Sequence, residues 1–331
     1  MNVTRQKRLG KIGNDSAHPG SPHHSAPAGP LRLIAWLWGV LCCILPMGIA
    51  GAAEENASPF RIGFTTAMFT DVNENDVRAA IRVWGEQIAK AHNIPIDPDP
   101  LLFRDMEEVR LALAQGRVDA VGILTIEYHR LRRDYSFSPL FLTYHGGKVT
   151  EEYLVLAHRD GPVKTLADLE GRRLTIHDNP RVSLAALWLD TLLHLQDLPP
   201  ASRLAGRVET STRLSQALLP VFFRQMDVCL VTRSGFATMS ELNPQLARDL
   251  VILAESQAVV PALFAFRSGY HSPYKTDVIA GLNELKHSPA GQQVLTIFLS
   301  EEIAERSVSY LDSAKELIET HERLIQEAHS P

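Results

Sequence analysis

The sequence contains little cysteine, and this limits its disulfide and nucleophile chemistry. Three cysteines occur in 331 residues, and two of them, Cys42 and Cys43, fall in an apolar run near the amino terminus. Only Cys229 lies beyond residue 53, so an intrachain disulfide is excluded in that part of the chain. The apolar neighbours Val228 and Leu230 favour a small buried residue at this position over a reactive thiol.

Basic charge is also in short supply. The formal net charge is −5, and residues 1–53 hold five Lys/Arg and one Asp, so 28 basic residues face 37 acidic residues in the remainder. This balance provides no basic footprint, and a nucleic-acid partner is not expected. The chain also lacks zinc-type His/Cys spacing, a P-loop and a G-x-G-x-x-G segment after its first strand. We therefore predict neither a bound metal nor a cofactor.

The amino-terminal segment has the pattern of an export signal. A polar stretch rich in Pro, Gly and His precedes an apolar run over residues 33–50, which small residues follow up to Ala53. This pattern predicts a signal peptide over residues 1–53, cleaved near Ala52 or Ala53, and a periplasmic location. An uncleaved anchor is the alternative, because a membrane span needs about 20 apolar residues. Pro46 and the lack of basic residues after the run favour cleavage.

One pattern occurs twice, over residues 109–125 and 214–232. In each copy an amphipathic helix ends, an aspartate (Asp119 or Asp227) leads into a short apolar run, and the run stops at a threonine. A helix followed by a buried strand is typical of an open parallel sheet. The repetition predicts two lobes that are built alike, with ligand positions beyond the carboxyl ends of the strands.

The remaining patterns predict an α/β protein in which each lobe is an open, mainly parallel sheet flanked by helices. Two hinge crossovers are expected, one over residues 138–148 and one in the apolar run 259–266, which Pro261 splits. Lobe 1 then comprises residues 60–145 and 262–331, and lobe 2 comprises residues 146–261. The helical region after about Tyr274 is expected to pack on lobe 1.

Several short segments carry a resemblance to a known family. They are residues 61–64 (RIGF), 115–120 (QGRVDA), 166–174 (LADLEGRRL), 288–291 (SPAG) and Tyr128. In this order they resemble the type II periplasmic solute-binding fold and, within it, the phosphate/phosphite/phosphonate-binding, PhnD-like family. The resemblance implies a solute-binding protein of an ABC-type transporter that holds a phosphonate- or phosphite-like ligand between two lobes. Where that family has a Ser-Thr-Ser-Gly cluster, this chain has residues 179–183 (NPRVS).

Polar side chains follow the predicted strand ends in both lobes, and we predict that they bind the ligand. Lobe 1 offers Thr65, Thr66, Thr70, Asp71, Thr125, Glu127 and Tyr128. Lobe 2 offers His177, Asp178, Arg181, Ser183, Thr232 and Arg233. The first set leans acidic and the second basic.

The charges in these two sets suggest the class of ligand. A helix predicted to begin at Asn179 would present free N–H groups and a partial positive charge to an anion. Arg181 and Arg233 would add bidentate contacts to a carboxylate or phosphonate. Asp71 and Glu127 would hold an ammonium group, so a small anionic or zwitterionic ligand is predicted. The alternatives are that Asp71 only caps the first long helix and that Arg181 is solvated.

Three functions are open for such a scaffold. The first is a monomeric receptor that delivers its ligand to a membrane permease. The second is a sensing module whose ligand-bound form is recognised by a membrane signalling protein. The third is an enzyme, since His177 beside Asp178 is a pair suited to acid–base chemistry. A histidine at a strand end is more often structural, and Cys229 has no neighbouring base, so we expect binding without chemistry.

Overall fold

Two open sheets flanked by helices make up the described part of the chain. The computed structural model describes residues 58–69 and 72–329. The predicted signal peptide at residues 1–53, Thr70 and Asp71 lie outside these ranges. Within them, no helix has both the length and the apolar character that a membrane span requires.

The first sheet has six strands. They are β1 (Ile62–Thr65), β2 (Leu101–Phe103), β3 (Ala120–Leu124), β4 (Phe137–Tyr144), β10 (Ala262–Arg267) and β11 (Glu302–Arg306). Their order across the sheet is β11-β4-β10-β3-β1-β2. The strands β1, β2 and β3 run parallel, whereas β10, β4 and β11 pair in antiparallel fashion.

The second sheet repeats this arrangement with five strands. They are β5 (Tyr153–His158), β6 (Arg173–His177), β7 (Arg207–Ser211), β8 (Val228–Thr232) and β9 (Leu250–Glu255). Their order, β7-β6-β8-β5-β9, matches the order β2-β1-β3-β10-β4 of the first sheet. The prediction of two similar lobes is therefore confirmed, although both sheets are mixed rather than mainly parallel. The reason is that β5 and β10 enter from the hinge, where the parallel strands end, so each must run antiparallel to its neighbour.

Helices cover both sheets. They are α1 (Glu74–His92), α2 (Met106–Ala114), α3 (Thr125–Leu131), α4 (Ala185–His194), α5 (Ala201–Leu204), α6 (Leu214–Phe222), α7 (Arg233–Leu242), α8 (Pro244–Asp249), α9 (Lys275–Asn283), α10 (Pro289–Ile297) and α11 (Asp312–His329). The long helix α1 shows why they form here. The side chain of Asn73 accepts a hydrogen bond from the backbone N–H of Asn75, and Val77, Ile81 and Trp84 share its buried face.

Asp119 and Asp227, the aspartates of the repeated pattern, make the same contacts in the two lobes. Asp119 accepts hydrogen bonds from the backbone N–H of Arg61 at 3.0 Å and from the Arg61 guanidinium at 3.1 Å. Asp227 accepts the equivalent bonds from Arg173, at 2.9 Å from the backbone and at 3.0 and 3.1 Å from the guanidinium. Each pair fixes the start of a central strand, β1 or β6, at the sheet edge opposite to the carboxyl ends.

Two chain segments cross between the sheets, one after β4 and one after β9. They pair with each other, since Glu151 and Val259 exchange backbone hydrogen bonds of 2.8 and 2.9 Å. The predicted crossover at 138–148 is too early, because β4 occupies most of it and the crossing begins at His145. Pro139, inside the predicted crossover, lies near the register shift between β4 and β10, where a strand tolerates proline.

The last helix, α11, contacts both lobes. Ala314, Leu317 and Ile318 belong to the same buried cluster as Trp188 of α4, in lobe 2. On the other side, α11 packs against α3 of lobe 1. The sequence placed the whole of residues 262–331 with lobe 1; the helix α11 has contacts with lobe 2 in addition.

Candidate functional site

Predicted site residues of both lobes lie at or just beyond the carboxyl ends of the parallel strands in the described part of the chain. In lobe 1, Thr65 ends β1, Thr66 begins a short 3-10 turn, and Thr125 is the first residue of α3. In lobe 2, His177 ends β6 and Thr232 ends β8. Parallel strands place these residues at one edge of each sheet, so each lobe presents its polar residues at the edge where ligands bind in open α/β sheets.

One proline carbonyl in the second crossing segment joins the two sets. The backbone N–H of Thr125, in lobe 1, donates to the carbonyl oxygen of Pro261 at 2.9 Å. The hydroxyl of Ser183, in lobe 2, donates to the same oxygen at 3.1 Å. Thr125 and Ser183 therefore meet at the hinge, where the carbonyl oxygen of Pro261 connects them. The sequence indicated Pro261 only as a crossover residue.

Glu127 is used inside lobe 1. Its carboxylate accepts the hydroxyl of Thr65 at 2.7 Å and the backbone N–H of Leu124 at 2.8 Å, so it connects the ends of β1 and β3. Burial raises the pKa of Glu127, and the two hydrogen bonds and nearby Arg130 oppose that rise. The predicted ammonium contact would have to share a carboxylate that already has two donors.

Tyr128 is a core residue. It is buried, and its ring packs against Phe137 with 5.7 Å between ring centroids. Burial raises the pKa of the Tyr128 phenol. Its position beyond the strand end is as predicted, but its ring belongs to a buried cluster of lobe 1.

His177 is a buried histidine at the end of β6. Its Nε2 lies 3.2 Å from the carbonyl oxygen of Thr212 and 3.2 Å from the amide nitrogen of Asn179. Its Nδ1 is buried and has no partner among the described residues. Burial lowers the pKa of His177, while Thr212 and Asp178 oppose that change, so the neutral ring is favoured. Asp178 itself is exposed, and its backbone N–H donates to Ser211.

Arg181 is buried and paired. Its Nε and Nη2 donate to Glu151 Oε2 at 3.0 and 2.7 Å, and the hydroxyl of Ser234 donates to the same oxygen at 2.9 Å. Glu151 and Ser234 were not among the predicted residues. Glu151 was missed because it lies in the crossing segment and not at a strand end. The sequence of that segment gives no local signal that Glu151 is a partner of Arg181.

The side chain of Asn179 caps the turn that begins at this residue. Asn179 Oδ1 accepts the backbone N–H of Arg181 at 2.8 Å, and the backbone forms a 3-10 turn over Pro180–Val182 before α4 begins. One of the backbone N–H groups that would have faced an anion there is therefore already bonded to the side chain of Asn179. The helix predicted to begin at Asn179 starts later, at Ala185, and Asn179 caps the 3-10 turn that precedes it.

The start of α7 is arranged in the same way. Thr232 is the N-cap, and its hydroxyl oxygen accepts the backbone N–H of Gly235 at 3.0 Å. Arg233 pairs with Glu152 at 2.8 Å and also with Glu255. Both candidate arginines of lobe 2 therefore have carboxylate partners from the protein.

The fold and this site define a class of protein: a two-lobed, type II periplasmic binding protein. The model of the periplasmic substrate-binding proteins of phosphonate ABC transporters matches residues 66–307. The chain belongs to this family. No curated protein sequence matches the chain.

Solved structures agree on the fold. The chain is similar to XAC2383 from Xanthomonas citri bound to chloride ion, with a TM-score of 0.58, 18% identity, and coverage of 81% of this chain and 99% of that chain. It is also similar to a binding-protein component of an ABC phosphonate transporter from Pseudomonas aeruginosa (0.54, 13%, 81% and 88%). A third is PhnD1 from Prochlorococcus marinus in complex with methylphosphonate (0.53, 10%, 81% and 98%).

Proposed function

We propose that this protein is the exported solute receptor of an ABC-type transporter. It binds a small anionic or zwitterionic ligand, of the phosphonate or phosphite type, between its lobes and delivers it to a membrane permease. Residues 1–53 direct export to the periplasm, and the receptor acts as a monomer. Family membership supports the transport role, and the residues at the strand ends support the location of the ligand.

The single observation that carries the ligand position is a pair of unpartnered polar atoms, one in each lobe. Thr125 Oγ1, just beyond the end of β3, and His177 Nδ1, at the end of β6, are both buried and have no hydrogen-bond partner among the residues that the structure describes. A buried polar group without a partner costs about 1–3 kcal/mol. A ligand that supplies a partner to each atom recovers that free energy, and a hydroxyl can donate to an anionic oxygen.

Chemistry on the ligand is not part of this proposal. Cys229 lies in the middle of β8, is fully buried, and has a thiol pKa that burial raises. A thiol of this kind does not supply a nucleophilic thiolate near neutral pH. His177 Nε2 lies 3.2 Å from the Thr212 carbonyl oxygen, which holds the ring in place, and the proposal gives His177 a role in binding alone.

A thermal-shift panel tests the proposal. The purified protein is mixed with phosphate, phosphite, methylphosphonate, sulfonates, carboxylates and amino acids. A ligand at about 100 times its dissociation constant stabilises the fold by about 2.7 kcal/mol. At least one member of the panel is expected to raise the unfolding midpoint clearly.

Thr125→Val then tests the position of the ligand. Losing one hydrogen bond to a charged group costs about 1.5–3 kcal/mol, so affinity for the panel hit is expected to fall about tenfold or more. Thr175→Val is the matched control, since Thr175 Oγ1 is also buried and has no partner in the described part of the chain, but lies in the middle of β6. Equal losses in the two variants, or no hit at all, would count against the proposal.

A further inference from the structure

The buried carboxylate of Glu151 contacts Arg181 and the first turn of α7 in the way that an anionic ligand would. Its Oε2 accepts Arg181 Nε, Arg181 Nη2 and the Ser234 hydroxyl at 3.0, 2.7 and 2.9 Å. Its Oε1 faces the backbone N–H of Ser234, in the first turn of α7, at 3.4 Å. An arginine fork together with a helix amino terminus is an arrangement that binds anions. Here a side chain of the protein fills it.

The position of Glu151 places this pair beside the candidate site. Glu151 lies in the first crossing segment, where it exchanges backbone hydrogen bonds with Val259. Arg181 follows the end of β6, and Ser234 follows the end of β8, so both partners come from the edge of lobe 2 that carries the candidate ligand residues. Ser183, two residues after Arg181, contacts the hinge at Pro261.

The residue after Glu151 also pairs with an arginine of lobe 2. Glu152 pairs with Arg233, which Glu255 also contacts. Among the described site residues of lobe 2, each arginine therefore has a carboxylate partner before any ligand arrives. A multiply charged anion that approached this face would have to displace a buried carboxylate, because Glu151 is 3% exposed and Arg181 is 9% exposed.

We propose that Glu151 is a specificity-determining residue of the cleft. Its carboxylate occupies an anion position formed by Arg181 and Ser234, and thereby keeps the anionic group of the ligand away from Arg181. The inference rests on the proposed function for the ligand itself. It assigns the anionic group of that ligand to uncharged donors, such as the Thr125 hydroxyl, and not to the buried arginine.

Shortening the side chain tests this directly. Glu151→Ala removes the carboxylate and leaves space beside Arg181, so an anion from solution is expected to take its place. Inorganic phosphate at roughly 10 mM should raise the unfolding midpoint of this variant by about 3 °C or more relative to chloride at equal ionic strength. The wild-type protein should not show this Arg181-dependent gain, because its own carboxylate fills the position.

Two matched variants separate a filled anion position from a purely structural ion pair. Glu151→Gln removes the charge but keeps the shape, so it should be destabilised without being rescued by phosphate. Glu151→Ala combined with Arg181→Gln has the space but no cation, and its phosphate response should disappear. A structural ion pair alone would lower the midpoint in all variants without any dependence on phosphate.

Several outcomes would overturn the inference. One is a Glu151→Ala variant that responds to phosphate no more than Glu151→Gln does. Another is a wild-type ligand whose binding is lost in Arg181→Gln while the Thr125→Val effect is retained, which would leave the receptor proposal intact. If Glu151→Ala cannot be purified, Glu151→Ser is measured instead, and failure of both to fold even in phosphate contradicts an accessible anion position. Silence of the wild-type panel bears only on the proposed function.

Discussion

At the scale of single residues, the site is built from side chains whose partners lie far away in the sequence. Arg181 and Glu151 are 30 positions apart, and the Thr65 hydroxyl donates to Glu127 across 62 positions. The sequence identifies residues at strand ends, because apolar runs stop there. It does not identify the partners, since Glu151 and Ser234 have no pattern of their own. Ligand contacts by the thirteen candidate residues stay a prediction.

His177 gives a pH dependence whose sign follows from its environment. Burial lowers the pKa of His177 below the ordinary value of 6.5, so the unfolded chain binds the proton more readily than the folded protein does. The contribution of neutral His177 to the free energy of unfolding is therefore fully present above pH 6.5. It is lost as the pH falls from 6.5 through the lowered pKa of the folded protein. The pKa values of His129 and His321 are lowered by burial as well, so they add to the same loss.

The variant His177→Gln isolates this contribution. Urea unfolding at several pH values between 7.5 and 5 is expected to show a smaller loss of stability in the variant than in the wild-type protein. His129 and His321 are unchanged in the variant, so a reduced loss should remain. If the unfolding free energy of the variant depends on pH as steeply as that of the wild-type protein, His177 does not titrate between pH 7.5 and 5.

At the scale of elements, strands with apolar runs were predictable from the sequence, whereas two charged edge strands were not. The segments 101–103, 120–124, 153–158 and 173–177 form β2, β3, β5 and β6. These are mostly apolar segments that other strands or helices cover. In contrast, β7 and β11 lie at sheet edges, and their exposed charged residues leave no apolar run to recognise.

The paired aspartates provide a prediction about how strands are fixed. Asp119 has a side chain that is 4% exposed and also lies 3.5 Å from Arg267, whereas the side chain of Asp227 is 15% exposed. Removing one partner of a buried ion pair costs about 3–5 kcal/mol. Asp119→Asn is expected to approach that loss of unfolding free energy, and Asp227→Asn to cost about half as much because solvent reaches its partner Arg173.

Urea denaturation of the two variants measures these losses on the same scale. The two substitutions are matched in chemistry and in their place in the repeat, so each serves as the control for the other. A larger loss in Asp227→Asn than in Asp119→Asn would contradict the ranking by burial.

At the scale of the whole molecule, two similar lobes are connected by two crossing segments and by α11. The crossing segments are joined by the Glu151–Val259 backbone pair and by the contacts of Pro261 with both lobes. Such a connection allows closure by changes in a few hinge residues. Because α11 packs on α3 and on α4, closure must keep or rearrange those contacts.

The measurement that tests the central claim most directly is small-angle X-ray scattering with and without ligand. The purified protein is measured alone and with a saturating concentration of the compound that raises its unfolding midpoint most. If the ligand binds between the lobes and closes them, the radius of gyration falls, and Thr125→Val needs more ligand to reach the same value. An unchanged radius of gyration at saturation would contradict a ligand held by closure of the two lobes.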